Sequence, residues 1–127
     1  MTSAEPLTLE YSSQLWKAFS DPVRMRLINL LFQGDICVTD LQQTLGLPQS
    51  TVSRHLAYLR HTGVVQSARK GVAMYYRLAE PVTHLHKTLL TSFHKNLATI
   101  DTLQTDRHRL AEIAGEQADA HKNQDPL

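Results

Sequence analysis

Three observations predict a mainly α fold with one β-hairpin. Residues 39–59, TDLQQTLGLPQSTVSRHLAYL, read as two short helices joined at Gly46. Residues 64–78 read as two strands around a basic tip, Arg69-Lys70-Gly71. Asp21-Pro22 and Glu80-Pro81 each place a helix-capping acid or proline where a flanking helix would start. The predicted order is four helices, two strands and a last helix, which is a winged helix-turn-helix with the hairpin as its wing.

A loose tail is expected over residues 1 to about 7 and a first helix from about Thr8 to Phe19, with Leu15, Trp16 and Phe19 on its apolar face. Periodicity alone leaves open whether that face meets the core of its own chain or a second subunit. In the second helix Asp21 is the N-cap and Pro22 the first helical residue. Val23, Leu27, Leu30 and Leu31 follow at i, i+4, i+7 and i+8, and Gly34 ends the run. Arg24 and Arg26 project from its polar side, either as solvated charge or as contacts to a DNA backbone. Asp35 to Val38 is a short connection.

The third helix is expected to open on a capping box of Thr39 and Gln42 and to bury Leu41 and Leu45. Gly46 ends it, because glycine takes the left-handed conformation without a Cβ clash. Leu47 pins the turn and Pro48 suits the first turn of the fourth helix. There Val52, Leu56 and Leu59 make the buried stripe, while Gln49, Ser50, Ser53, Arg54 and Arg60 lie opposite. That outward face carries amide, hydroxyl and guanidinium groups and no carboxylate, the chemistry that reads base edges and holds phosphates. After His61-Thr62-Gly63, the alternation of Met74, Tyr76 and Leu78 with Ala73, Tyr75 and Arg77 marks a half-buried strand. A basic hairpin tip beside such a helix would reach the flanking minor groove or phosphates. From Glu80-Pro81 a long helix is expected, with Leu85, Leu89, Phe93, Leu97 and Ile100 as its seam. We read it as a dimerisation helix paired with the first, the alternative being core packing within one chain. Past Leu110 and Ile113 the run GEQADAHKNQDPL is polar and expected to fray. The domain division is therefore 8–104 for DNA binding and dimerisation, and 105–127 for a helix extension and tail.

The length of 127 residues suits one domain, and 42% hydrophobic with 20% charged residues suits one modest core. The net charge of +1 hides a segregation, since residues 48–78 hold five basic and no acidic residues. Gathered positive charge around a helix-turn-helix is the footprint of a nucleic-acid binder. The N-terminus lacks the pattern of a secretory signal, and the single cysteine, Cys37, fits a reducing cytoplasm, the expected location. No nucleophile–base pair, spaced metal-ligand set or glycine-rich phosphate loop is legible, so neither an enzyme nor a cofactor is expected.

The segments LWKAFSDPVRMRLINLL, ICVTDL, QSTVSRHLAYLRHTGVV and the hairpin ending in YYRL resemble the ArsR/SmtB family of bacterial winged helix-turn-helix repressors over about Ser13 to Leu103. The resemblance implies a homodimer through the first and last helices, repression at a palindromic operator, and release by an effector. Carried over, Gln49, Ser50, Ser53 and His55 would read bases, while Arg54, Arg69 and Lys70 would hold phosphates or the minor groove. With Thr51 these make the candidate DNA-binding set. Pro48 departs from the family, where many members place serine.

The effector is not legible. Arsenic- and cadmium-responsive members carry Cys-x-Cys before the first DNA-binding helix, whereas this chain has Cys37-Val38-Thr39. Soft ions need two or three thiolates. Zinc-responsive members carry Asp-x-His, ten residues and then His-x-x-Glu or His on the last helix, and neither His84 nor His86 has the required partners. His86 and His94 are eight apart and could share a face, but two histidines are a thin site for zinc. No metal site is therefore expected. Cys37 is instead a candidate redox or electrophile sensor, if a helix start lowers its pKa. The expected function is a DNA-binding repressor. The alternatives are a thiol-based redox sensor-repressor and a winged helix used as a protein-interaction module.

Overall fold

Asp21 and Pro22 start the helix around which the chain packs. The Asp21 carboxylate accepts the backbone N–H groups of Val23 and Arg24 at 2.9 and 3.1 Å, and Pro22 takes the first helical position. The computed structural model describes residues 7–123, with side chains described through residue 116. Its elements are α1 (Leu9–Ala18), α2 (Pro22–Leu31), β1 (Ile36–Cys37), α3 (Val38–Leu45), α4 (Gln49–His61), β2 (Val65–Lys70), β3 (Ala73–Leu78), α5 (His84–Leu97) and α6 (Asp101–Asn123). The mainly α winged helix-turn-helix is present, with one strand and one helix more than expected.

The core gathers Leu15 from α1, Leu27, Ile28 and Leu30 from α2, Leu41 from α3, and Val52, Leu56 and Leu59 from α4, all fully buried. Each such side chain contributes about 1.5–3 kcal/mol by leaving water. Gly46 ends α3 in the left-handed conformation, φ +65°. Pro48 stands one place before α4 as its cap, where its carbonyl accepts the N–H groups of Thr51 and Val52.

Thr39 does not cap α3. The helix begins at Val38, and Cys37 occupies the cap position without a capping bond from its side chain. The physical reason is β1, which was expected to be a plain connection. Ile36 and Cys37 pair antiparallel with Tyr76 and Tyr75, so the sheet delivers the chain to the helix start. The sheet order is β1-β3-β2. The hairpin turns on Gly71-Val72, with Gly71 at φ +64° in the first central position, as a tight two-residue turn requires.

The long closing helix is two helices. Residues 80–83 stay outside it, and the Thr83 hydroxyl caps α5 by accepting the N–H of His86 at 3.1 Å. α5 ends at Leu97, and Arg107 of α6 donates to the Ala98 carbonyl at 2.7 Å, satisfying an acceptor that a helix end leaves open. Phe93 fixes α5 between the rings of Phe19 and Phe32, at 6.3 and 6.1 Å. α6 then folds back on α2 and α3 through Leu103 and Leu110. Arg26 Nε and Nη2 donate to the two oxygens of buried Asp106 at 2.8 and 2.9 Å. Asn29, buried in α2, donates to the Leu103 carbonyl and accepts from Arg107. The division drawn at 104/105 thus falls inside a packed helix. The backbone of α6 is helical to Asn123, and residues 124–127 of the expected tail lie outside the described residues, as do residues 1–6 of the expected N-terminal tail.

His86 is fully buried, and neither ring nitrogen has a hydrogen-bond partner among the described residues. Burial pushes its pKa below the ordinary 6.5. A lowered folded pKa means that the unfolded chain takes up the proton first, so stability is present above pH 6.5 and lost as pH falls through the folded value. Replacing His86 by Met should flatten the acid limb of a urea-unfolding series, by up to about 1.4 kcal/mol per pH unit. A series parallel to wild type would show that His86 is not the titrating group. Asp106→Asn should lower stability by about 1.5–3 kcal/mol, read as a shift in the urea midpoint, because it removes an ionised partner from Arg26. No shift would mean that α6 is undocked in solution.

Candidate nucleic-acid interface

The outward face of α4 follows from its inward one. Once Val52, Leu56 and Leu59 turn into the core, helical spacing turns Gln49, Ser50, Ser53, Arg54, Ala57 and Arg60 to solvent, and all of these are exposed. Thr51 is half-buried at the edge. No side chain caps this helix start, which leaves backbone N–H groups of its first turn facing outward beside Gln49 and Ser50. Arg54 forms no ion pair among the described residues.

The wing brings charge alongside. Arg69 and Lys70 are exposed at the end of β2, next to a Val72 that is 99% exposed at the turn. Lys70 is partly engaged, since its ammonium lies 3.3 Å from Asp35 and 4.8 Å from the centre of the Tyr75 ring. Arg60 donates to the Ser67 hydroxyl at 3.4 Å, linking the end of α4 to the wing.

His55 lies apart from this face. It is only 8% exposed and packs on the inner side of α4, with Nδ1 3.2 Å from Arg24 Nη1 and 3.8 Å from Asp21 Oδ1. Burial pushes its pKa below 6.5. The Asp21 charge opposes this, and Arg24 and Arg54 reinforce it. A ring so placed does not reach a base edge. The signal was available in the spacing, because Val52, His55, Leu56 and Leu59 stand at i, i+3, i+4 and i+7, the full pattern of a buried stripe. Arg24 and Arg26 are likewise committed inside the molecule, Arg26 to Asp106 and Arg24 to the Lys17 carbonyl and His55. Neither stands ready at the rim for a phosphate.

The sensing candidates are scattered. Cys37 is half-buried, and burial, joined by the charge and hydrogen bonding of the Asp40 side chain, pushes its thiol above 9.0. The N–H groups of Asp40 and Thr39 only partly offset this. The direction is opposite to that of a reactive thiolate. His86 is sealed in the core, whereas His94 is exposed, with its ring 4.8 Å from that of Phe32, so the two share no open face. Among the described residues no group of three or more His, Cys, Asp or Glu side chains gathers as a metal site, and no helix is long and apolar enough to cross a membrane. Alkylation of Cys37 by iodoacetamide near neutral pH should run several-fold slower than that of an unstructured cysteine peptide. A faster reaction would restore the sensor reading.

Comparison with known proteins places these features in company. Residues 21–67, from the start of α2 into β2, match the family described as "Bacterial regulatory protein, arsR family". The chain is similar to the arsenic resistance transcriptional regulator ArsR1 of Pseudomonas putida, 36% identical over 100 residues that cover 78% of this chain and 77% of that one. Among solved structures it is similar to the transcriptional repressor BigR of Xylella fastidiosa, with a TM-score of 0.59 and 32% identity over 72% of this chain and 87% of that one. It is also similar to HlyU of Vibrio cholerae, with a TM-score of 0.59 and 27% identity over 68% and 90% of the two chains.

Proposed function

The chain belongs to the ArsR family of bacterial regulatory proteins, a family of transcriptional regulators and not of enzymes, and from that premise we propose how it engages DNA and a second copy of itself. It is a DNA-binding transcriptional repressor of the ArsR/SmtB type, in keeping with relatives that are themselves named repressors. In our reading α4 enters the major groove of double-stranded DNA in the cytoplasm. Gln49, Ser50 and Ser53 face the bases, with Thr51 at the edge. Arg54 holds a backbone phosphate and Arg69 of the wing reaches the flanking minor groove, with Lys70 shared between that role and Asp35. The observation that carries this is the exposed, carboxylate-free face of α4 beside the basic wing.

The reading includes a homodimer through α1 and α5, so that two copies of α4 meet a palindrome with half-sites one helical turn apart. Two features support it. Leu9 and Trp16 of α1 are 83% and 56% exposed, and a groove of about 300 Å³ lined by Trp16, Phe19, Leu89, Phe93 and Leu97 runs between α1 and α5. Exposed apolar surface beside an apolar groove is in keeping with an interaction face. An effector that favours a different dimer geometry would release the operator. Among the described residues the raised Cys37 thiol and the dispersed histidines form no cluster of metal ligands for such an effector.

Arg54→Ala should weaken binding to all DNA sequences alike and reduce the slope of log affinity against log salt by about 1, as fluorescence anisotropy across a salt series would show. An unchanged slope removes Arg54 from the phosphate contacts. Gln49→Ala should lose about 1–3 kcal/mol on the operator and little on random DNA. Trp16→Asp should shift the sedimentation equilibrium toward monomer, and an unchanged mass would place the dimer interface elsewhere.

A further inference from the structure

The inner side of α4 meets a polar cluster that is part-buried at His55 and open to solvent toward α1. Arg24, in the first turn of α2, spans three helices. Its Nη2 donates to the Lys17 carbonyl of α1 at 2.8 Å, and its Nη1 lies 3.2 Å from His55 Nδ1 of α4. Its guanidinium also covers the ring of Tyr58, with Cζ 4.3 Å from the centroid. Tyr58 in turn donates its hydroxyl to the Gln14 carbonyl of α1 at 3.4 Å. The cluster therefore joins the recognition helix to α1, the helix our functional reading places at the dimer interface.

The chemistry of this contact fixes a protonation state. A guanidinium has only donors, so His55 Nδ1 must be the unprotonated acceptor and the ring neutral with its proton on Nε2. The Asp21 carboxylate waits 3.8 Å from the same nitrogen and already accepts two backbone N–H groups. A proton on Nδ1 would reverse the preference, setting donor against donor at Arg24 and attracting the ring to Asp21. The charged groups that face His55 are Asp21 and Arg24 from α2 and Arg54 from its own helix. α1 presents the Lys17 carbonyl, and that through Arg24. Burial favours the neutral ring.

We propose that Arg24 and neutral His55 form a tether that positions α4 against α1 for operator binding, and that protonation of His55 opens the tether and lowers operator affinity. Both are positioning residues, and the proposal rests on α4 being the DNA-contacting helix. His55→Gln keeps an acceptor for Arg24 and cannot titrate. On duplex DNA from upstream of its own gene it should match wild type near pH 7.5 and bind more tightly than wild type as pH falls from 6.5 toward 5, by less than about tenfold at pH 5.5 because the ring titrates below 6.5. The comparison cancels the gain that protonation of other histidines gives to both proteins. Arg24→Lys, which keeps the charge and loses the fork, should weaken operator binding by about tenfold with an unchanged salt slope. Superimposable pH profiles for wild type and His55→Gln would overturn the proposal, as would a reduced salt slope in Arg24→Lys.

A DNA-free readout separates the two levels of the argument. Nitrogen-15 NMR of the histidine rings in the full chain, assigned by loss of one signal in His55→Gln, should show His55 as the Nε2–H tautomer near pH 7.5 and charged only below pH 6.5. A proton on Nδ1 near pH 7.5 would refute the tether whatever the DNA result. Absence of wild-type operator binding at every pH would instead count against α4 as the DNA helix, and the positioning role would fall with it.

Discussion

Helix α2 sets the constraint from which the rest follows. Leu27, Ile28, Asn29, Leu30 and Leu31 are five consecutive residues, more than one full turn, and all are buried. A helix covered on every side must be wrapped by the remaining elements, and α3, α4, α6 and the sheet all pack against it. It must also satisfy the one amide trapped among its apolar residues. Asn29 does so by binding the Leu103 carbonyl and Arg107, so α6 is held by hydrogen bonds with directional requirements as well as by apolar contact. The Arg26–Asp106 pair strengthens the same contact under partial shelter from water, where an ion pair is worth more than at a surface.

This arrangement gives the functional face its definition. Helix α4 is not an appendage on a loop. Its apolar stripe is continuous with the core, and its polar underside is fastened to α2 by Arg24 and His55. Exposure of Gln49, Ser50, Ser53 and Arg54 is the geometric remainder after those buried positions are assigned. Side chains held on a rigid element can match the fixed pattern of groove donors and acceptors, which tolerates little positional error.

What could be read from residues alone divides along physical lines. Local, strongly encoded features were legible. The Asp21-Pro22 start, the glycine end of α3, the stripe of Val52, Leu56 and Leu59, and the alternation from Ala73 to Leu78 each depend on a few neighbouring residues. Features decided by distant partners were not. β1 is two residues long, too short for any periodicity, and exists because β3 lies beside it. The break between α5 and α6 carries no proline or glycine, and Arg107 stabilises it from nine residues away. Thr39 offered a hydroxyl at good spacing, yet the sheet had already fixed where α3 begins. The family resemblance assigns His55 to the bases, although its spacing places it on the inner stripe.

The third strand has a consequence for recognition. A lone two-stranded hairpin is marginally stable in water, and a hairpin that orders only on contact must lose its conformational entropy at that moment. Here β1 pairs with β3 and runs without interruption into α3, while Asp35 just before it meets Lys70 of the hairpin. The hairpin and α3 are thereby joined through one sheet. If the hairpin meets a duplex as we propose, it does so already shaped, so the ordering penalty would fall on the DNA and on the few side chains at the tip, and the hairpin's reach would be a fixed length.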